Sequence, residues 1–545
     1  MLHRLVRILP CLAFLLPVGA ALAADKPPEP DTEIAWETQA GGYGLDPGFN
    51  GGAFFLDRFA GSSSANYRGR KLARLSNGDV VAVGLVPAYN QPDPPDGQFH
   101  IGLVRYDASG QRVAWTFSSS PYGNFGNQYL IYPGSNLGGQ LTPRFTAVKD
   151  VKTIGDRIYV MVDHTPDGES RDVQLLIFSD VAGETGRFLG HFTLFTSPFN
   201  EDGAEMALFS SATLGGAPYK LLAAATVYGG SGNYIRLSRF NVGGITPFEG
   251  DSTFGTDGTS IAFLFQTSGG CSSAVATAGA CPLIARSLAI GFRGFTGSGP
   301  IYVGAERQYA ATTATSNDWD AAVVKFSSSG DLDASFGSGT GAGSGNGFAF
   351  VQFDRGTKED RNRGIAVRTL GLGIPAAPYN DEIYVVASAA QACASGTGVG
   401  KLDQDGHYVT TFGTGGKLRF GGWDDPGDAQ ACAVYGAAAP FAVARDGATL
   451  AIAGQDDAEV GPDFIPAASV AFVDTDAGSL LQRFATAVRP PGATFPSSSA
   501  LYGIVASGNG SFSVTGDVRD PGTGNTLMFA TARIGRDVIF ANGFD

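Results

Sequence analysis

"GLDPGFNGGAFFLDRF" spans Gly44 to Phe59, and its position decides the fold. It is a copy of a motif that otherwise follows a set of strands, yet no such set precedes it. The best-preserved sibling is "GDLDASFGSG" from Gly330. "GDSTFGTDG" from Gly250 and "GHYVTTFGTGG" from Gly406 are close, and "GQRVAWTF" (Gly110), "GRFLGHFTLF" (Gly186) and "GSLLQRFATAV" (Gly478) are looser. That makes six copies inside the chain and one stranded at its start.

Working outward from these copies reveals the repeat. Each internal copy follows two hairpin strands and a third strand. Clear hairpins are "LARLSNGDVVAVG" (Leu72–Gly84), "FAVARDGATLAIAG" (Phe441–Gly454) and "GIVASGNGSFSVTG" (Gly503–Gly516). Third strands include "HIGLVRYD" from His100, "DAAVVKF" from Asp320 and "LMFATARI" from Leu527. Several alternate apolar and polar residues with period two, as a half-buried strand does. Seven such units follow one another at steps of roughly 60 to 85 residues, room for four strands and their loops. The seventh unit ends without its own copy of the fourth element.

A ring explains the displacement. The stranded N-terminal copy completes the last unit, and the sheet edges of an open array disappear. An open solenoid has no need of the exchange. The sequence therefore predicts an all-β chain: a single β-propeller of seven blades, closed by pairing of N- and C-terminal strands. The alternatives are an open β array, or two smaller β domains divided near residue 310. The blades are hardest to delimit between 120 and 230.

The motif also resembles a known family. Leu45-Asp46 with Phe49, Asn77-Gly78 through Gly84, Val104-Arg105-Tyr106, and Val324-Lys325-Phe326 through Leu332-Asp333 and Ser335-Phe336-Gly337 resemble the Delta-60 repeat of bacterial secreted and surface proteins. The resemblance covers about two thirds of the mature chain, and many units lose the Leu-Asp pair or the Asp-Gly turn. It implies a propeller-like structure and carries over no catalytic residue.

Composition agrees with an all-β fold. The 545 residues include 78 glycines, 11% are aromatic and only 16% charged. Gly-rich, turn-rich, aromatic-rich chains are built of many short strands. The net charge of −14, with no Lys/Arg cluster, excludes nucleic acid and anionic membranes as expected partners. "MLHRLVRILPCLAFLLPVGAALA" (1–23) reads as a secretory signal peptide: basic residues, a short apolar run, and Ala21-Leu22-Ala23 for cleavage. Residues 24–41 read as a linker and 42–536 as the repeat domain. The last nine, "DVIFANGFD" (537–545), look like the short tails of some exported bacterial proteins. No other run is long enough to span a bilayer. The expectation is an exported monomer, secreted, periplasmic or at the cell surface. Four cysteines survive cleavage: Cys271, Cys281, Cys393 and Cys432. An even count in an oxidising compartment predicts disulfides. Three connectivities can be drawn, and Cys271 with Cys281 and Cys393 with Cys432 closes the shortest loops. Zinc is disfavoured because C-x-x-C is absent.

Few residues point to chemistry. The glycines from Gly337 to Gly347 mimic a dinucleotide fingerprint, but "FAFVQFD" (Phe348–Asp354) reads as a strand where a helix is needed. Calcium is the cofactor candidate, at Asp403 and Asp405 of "LDQDG", with Asp331/Asp333 and Asp474/Asp476 as similar pairs. No EF-hand loop is present, and Asp-x-Asp-Gly is also an ordinary turn. G-x-S-x-G and H-E-x-x-H are absent. Trp423 with Asp424 and Asp425, and Trp319 in "NDWDA", form the candidate binding surface, since aromatic faces beside carboxylates hold sugars or cations. Two readings follow: a non-catalytic binding scaffold for a protein or polysaccharide, and a hydrolase or oxidoreductase with its site in the central channel. Side chains converging on the channel are what separates them.

Overall fold

In the computed structural model the chain forms seven sheets in ring order. It describes residues 43–536 apart from loop segments, the longest being 88–98, 118–127, 211–218, 338–345 and 421–438. Each sheet is a blade of consecutive antiparallel strands. The first strands of blades 1 to 7 are Arg68–Arg74, Phe145–Ile154, Asn200–Ser210, Leu283–Ile290, Asp360–Leu370, Ala439–Asp446 and Ser499–Gly508. Each packs on the first strand of the next blade, and the seventh packs back on the first. These strands therefore line the axis. A small three-stranded sheet (Leu264–Thr267, Gly270–Ser272 and Ala280–Cys281) lies in the connection between blades 3 and 4.

The ring closes as expected. The last strand, Thr526–Arg536, pairs with Tyr43–Leu45 (Tyr43 opposite Arg536) and with Phe55–Asp57 (Phe55 opposite Thr531). Blade 7 thus takes its outer strands from the start of the chain. Tyr43 also stacks on Phe472 of blade 6, with ring centroids 3.6 Å apart. On the other side the buried Asp57 carboxylate accepts hydrogen bonds from Tyr106, Tyr129 (2.9 Å) and Arg112 of the blade 1 segment. Burial pushes the Asp57 carboxyl up, against the opposing charge of Arg112.

The core is divided among the blade interfaces. Blades 7 and 1 share Phe49, Phe59, Tyr106 and Phe529; blades 4 and 5 share Tyr302, Phe336, Phe353 and Ile383. Each sheet buries both faces, which explains second strands that are apolar throughout, such as Val80–Val86.

The recurrent Phe-Gly corner is a latch between blades. In blade 4, Phe336 is fully buried, and the Gly337 amide donates to the Asp405 carbonyl of blade 5 at 2.8 Å. Gly406 of that next turn has φ +87°, and a Cβ there would lie 2.9 Å from the Gly337 nitrogen and 3.0 Å from the Phe336 ring. Only glycine allows both the turn and the approach. Lys325 of the third strand binds Asp333 of the corner (2.9 Å) and donates to the Gln404 carbonyl (2.8 Å). Arg239 does the same with Asp251 (2.7 Å) and Ser328 (2.6 Å), and Arg533 with Asp46 (2.6 Å) and Ala108 (2.7 Å). In these three blades the basic residue of the third strand is therefore a clamp, and an Asp of the corner supplies its counter-charge.

One expectation needs correction. The Gly110 segment is a corner with buried Trp115, and the fourth strand of blade 1 comes later, at Tyr129–Tyr132. In blades 2 and 6 the looser copies are themselves the fourth strands, Phe188–Thr193 and Leu480–Thr486. Their third strands, Asp172–Ser179 and Asp463–Asp474, contain no Lys or Arg. Without the clamp the corner has no counter-charge to hold. The Gly337–Gly347 run leads into the strand Phe348–Val351, so no helix receives a phosphate there.

Candidate axial site

Every first strand contains a β-bulge at the same level. The register skips Arg70, Lys149, the Ala204-Glu205 pair, Arg286, Arg363, Phe441 and Tyr502. A bulge leaves its extra residue out of the ladder and re-aims its side chain. On the innermost strand of a ring, that direction is the axis. Apart from Ala204, all of these residues are half-buried. The backbone device repeats sevenfold, while the side chains it presents differ.

Charged groups fill the arc from blade 2 to blade 5. Lys149 Nζ lies 3.2 Å from Asp163 and 2.5 Å from Asp202. Arg286 lies 3.9 Å from Asp202 and 3.0 Å from Glu306. Arg361 binds Glu306 at 3.2 Å, and its guanidinium sits 4.2 Å over the Trp319 ring. Arg363 donates from Nε to Ser388 Oγ at 3.0 Å and has no carboxylate within ion-pair distance among the described residues. Burial pulls the Arg363 guanidinium below its ordinary value. Aromatic groups hold the arc from blade 6 to blade 1. Phe441 and Tyr502 lie 4.9 Å apart, and the Arg70 guanidinium sits 4.3 Å over Tyr502 while binding Asp517 at 2.8 Å.

Asp163 and Asp202 divide one proton environment. Burial, then the neighbouring Asp202 charge against the pull of Lys149, pushes Asp163 up to about 7. Burial also opposes ionisation of Asp202, but Lys149, a hydrogen bond with Asp163 and Arg171 hold it at about 2. Such a split is one mark of an acid–base pair. Asp163, however, is only 1% exposed behind Lys149.

Deeper along the axis the channel is bridged. Glu205 of blade 3 lies 3.5 Å from Lys71 of blade 1 and accepts from the Leu288 amide of blade 4 at 3.0 Å. The end beyond carries the partly buried Phe209, Ile290 and Val505 together with Arg74, Arg368 and Arg445.

The expected site residues scatter. Trp319 stands at the charged arc, stacked by Arg361, while its neighbour Asp320 is buried against Arg307 at 2.7 Å. Trp423, Asp424 and Asp425 lie outside the described residues, as do Cys393, Cys432, the leader and the C-terminal tail. Cys271 and Cys281 lie on strands that flank Leu264–Thr267 on either side. Asp403 and Asp405 lie with His407 in a third-to-fourth-strand turn, their ligand atoms within 4.8 Å of one another. Asp403 Oδ1 accepts from the amides of Asp405 and His407, each at 2.9 Å. Those hydrogen bonds are the ordinary work of an Asp turn. The axial residues were missed because no local motif marks a bulge. The available signal was the crowding of basic residues in "RGRKLAR" and "DRNRGIAVR".

No family model and no curated protein matches the chain. Solved structures do. A protein of unknown function from Dyadobacter fermentans is 10% identical over 89% of this chain and 97% of its own, with a TM-score of 0.38. An endo-arabinase from Bacteroides thetaiotaomicron is 11% identical over 64% and 98%, with a TM-score of 0.30. A β-fructofuranosidase from Bombyx mori is 9% identical over 91% and 92%, with a TM-score of 0.31.

Proposed function

We propose that the protein is an exported β-propeller that binds its ligand at the axial mouth and carries out no chemistry itself. The observation that carries this reading is the grouping within the bulges: one repeated backbone device presents a basic side chain from four blades and an aromatic ring from two at one place. Export rests on residues 1–23, and kinship with the Delta-60 repeat proteins rests on the sequence motif alone. The ligand is a polysaccharide or protein of the cell surface or its surroundings. Co-sedimentation of the mature chain with insoluble cell-envelope polymer tests the site. Retention should fall at least about tenfold in Arg363→Ala/Tyr502→Ala and persist in Asp403→Ala. Equal retention of all three overturns the reading.

A hydrolase is the second reading, favoured by the split between Asp163 and Asp202. The enclosure of Asp163 weighs against it, because a general acid must reach the atom it protonates. A turnover abolished by Asp202→Asn in a folded protein would establish it.

A further inference from the structure

The seven axial strands carry eleven Lys/Arg and six Asp/Glu, whereas the whole chain has 37 and 51. The first strands thus reverse the sign of the molecule, and carboxylates of the second strands (Asp163, Glu306 and Asp517) face several of their basic residues. Among these, Glu306 already engages both Arg286 and Arg361, at 3.0 and 3.2 Å. Arg363 joins them without a carboxylate of its own, its Nε spent on Ser388. A largely desolvated guanidinium that pairs directly with no carboxylate, and feels Glu306 and Glu359 only from beyond ion-pair distance, is costly to hold. Its planar donors match a carboxylate in two-pronged fashion. On the adjoining first strands of blades 6 and 7, Phe441 and Tyr502 offer half-buried rings, and among the described residues Arg70 is the cation over Tyr502. An apolar ring face beside a guanidinium suits a flat residue with one hydrophobic side and one charged edge.

We infer that the ligand of the axial mouth is an acidic saccharide whose carboxylate seats on Arg363 and whose ring rests against Phe441 and Tyr502. This rests on the proposed mouth-binding function and names its ligand class. Calorimetric titration of the full mature protein with oligogalacturonate tests it, with the fully methyl-esterified oligomer and poly-glutamate as the other arms. Oligogalacturonate should bind, and the ester at least about tenfold more weakly. Arg363→Met should lose a similar factor and Arg363→Lys less, while Arg74→Met at the far end of the same axial wall changes nothing. The inference is overturned if oligogalacturonate does not bind, if the ester binds as well, or if Arg363→Met is without effect. Poly-glutamate binding as tightly as the sugar would overturn the saccharide in favour of an acidic protein. Ester binding that is lost in Tyr502→Ala would keep the mouth and remove only the charge requirement. Binding insensitive to both Arg363 and Tyr502 would remove the mouth itself.

Discussion

The rim latch and the axial wall are both repeated structures, but they repeat different things. At the rim the side chains recur: a buried aromatic ring, a left-handed glycine and a clamping Lys or Arg appear between blades 7 and 1, 3 and 4, and 4 and 5. At the axis only the bulge recurs, and the side chains run from Arg70 and Lys149 to Phe441 and Tyr502. The latch solves one packing problem, so one answer serves at each of these interfaces. The wall meets whatever occupies the channel, and no common answer is imposed on it. Stability should therefore respond to the rim and binding to the axis.

The largest expected effect comes from removing the closure itself. Deleting residues 43–57 strips both N-terminal strands from Thr526–Arg536 and exposes a long sheet edge. Soluble monomer should be lost, as size-exclusion chromatography would register. A well-behaved monomer would show that the ring does not need its closing strands. Next, Phe336→Ala should cost about 3–5 kcal/mol by leaving a cavity at a fully buried site, measured by denaturant unfolding. A cost under about 1 kcal/mol would deny the corner its role in the core.

Paired arginine changes sharpen the contrast more directly. Arg533→Met removes the clamp on Asp46 and the Ala108 carbonyl, and should cost about 1–2 kcal/mol. Arg363→Met removes a guanidinium with no carboxylate partner, and should leave stability within about 0.5 kcal/mol. The reverse order would make the wall structural and the latch incidental.

The smallest effect is a pH slope. Asp163 titrates near 4 when unfolded and at about 7 when folded, raised chiefly by burial and then by Asp202. Between those values the folded state binds the extra proton. The resulting stabilisation is complete below the unfolded value and is lost as the pH rises toward 7. Asp202 has the opposite sign, because its folded value is lowered: its contribution is present above about pH 4 and is lost as the pH falls toward 2. The melting temperature of the wild type should thus decline from pH 5 to pH 8 more than that of Asp163→Asn. Parallel curves would mean that Asp163 titrates in the folded protein where it does in the unfolded chain.

Much of this was legible in the chain. The repeat, its sevenfold count and the displaced Gly44–Phe59 copy needed only period-two alternation and the spacing of turn residues. Those are local, because a strand and a positive-φ glycine depend on neighbours a few residues away. The role of Phe336 as core and of Asp333 as a corner acid was legible for the same reason. The loose copies misled because corner and fourth strand overlap in sequence where the clamp is missing, and separate where it is present.

The sequence by itself determined that this is an all-β ring of seven units with its ends exchanged. Only the tertiary structure decided which faces meet at the axis. Arg286, Arg361 and Arg363 lie on two strands more than seventy residues apart in the chain, and Phe441 and Tyr502 on two others. Ring closure brings them to one mouth, and the bulges turn all of them but Arg361 inward. That convergence is a property of seven strands together, so no single stretch of the chain could announce it.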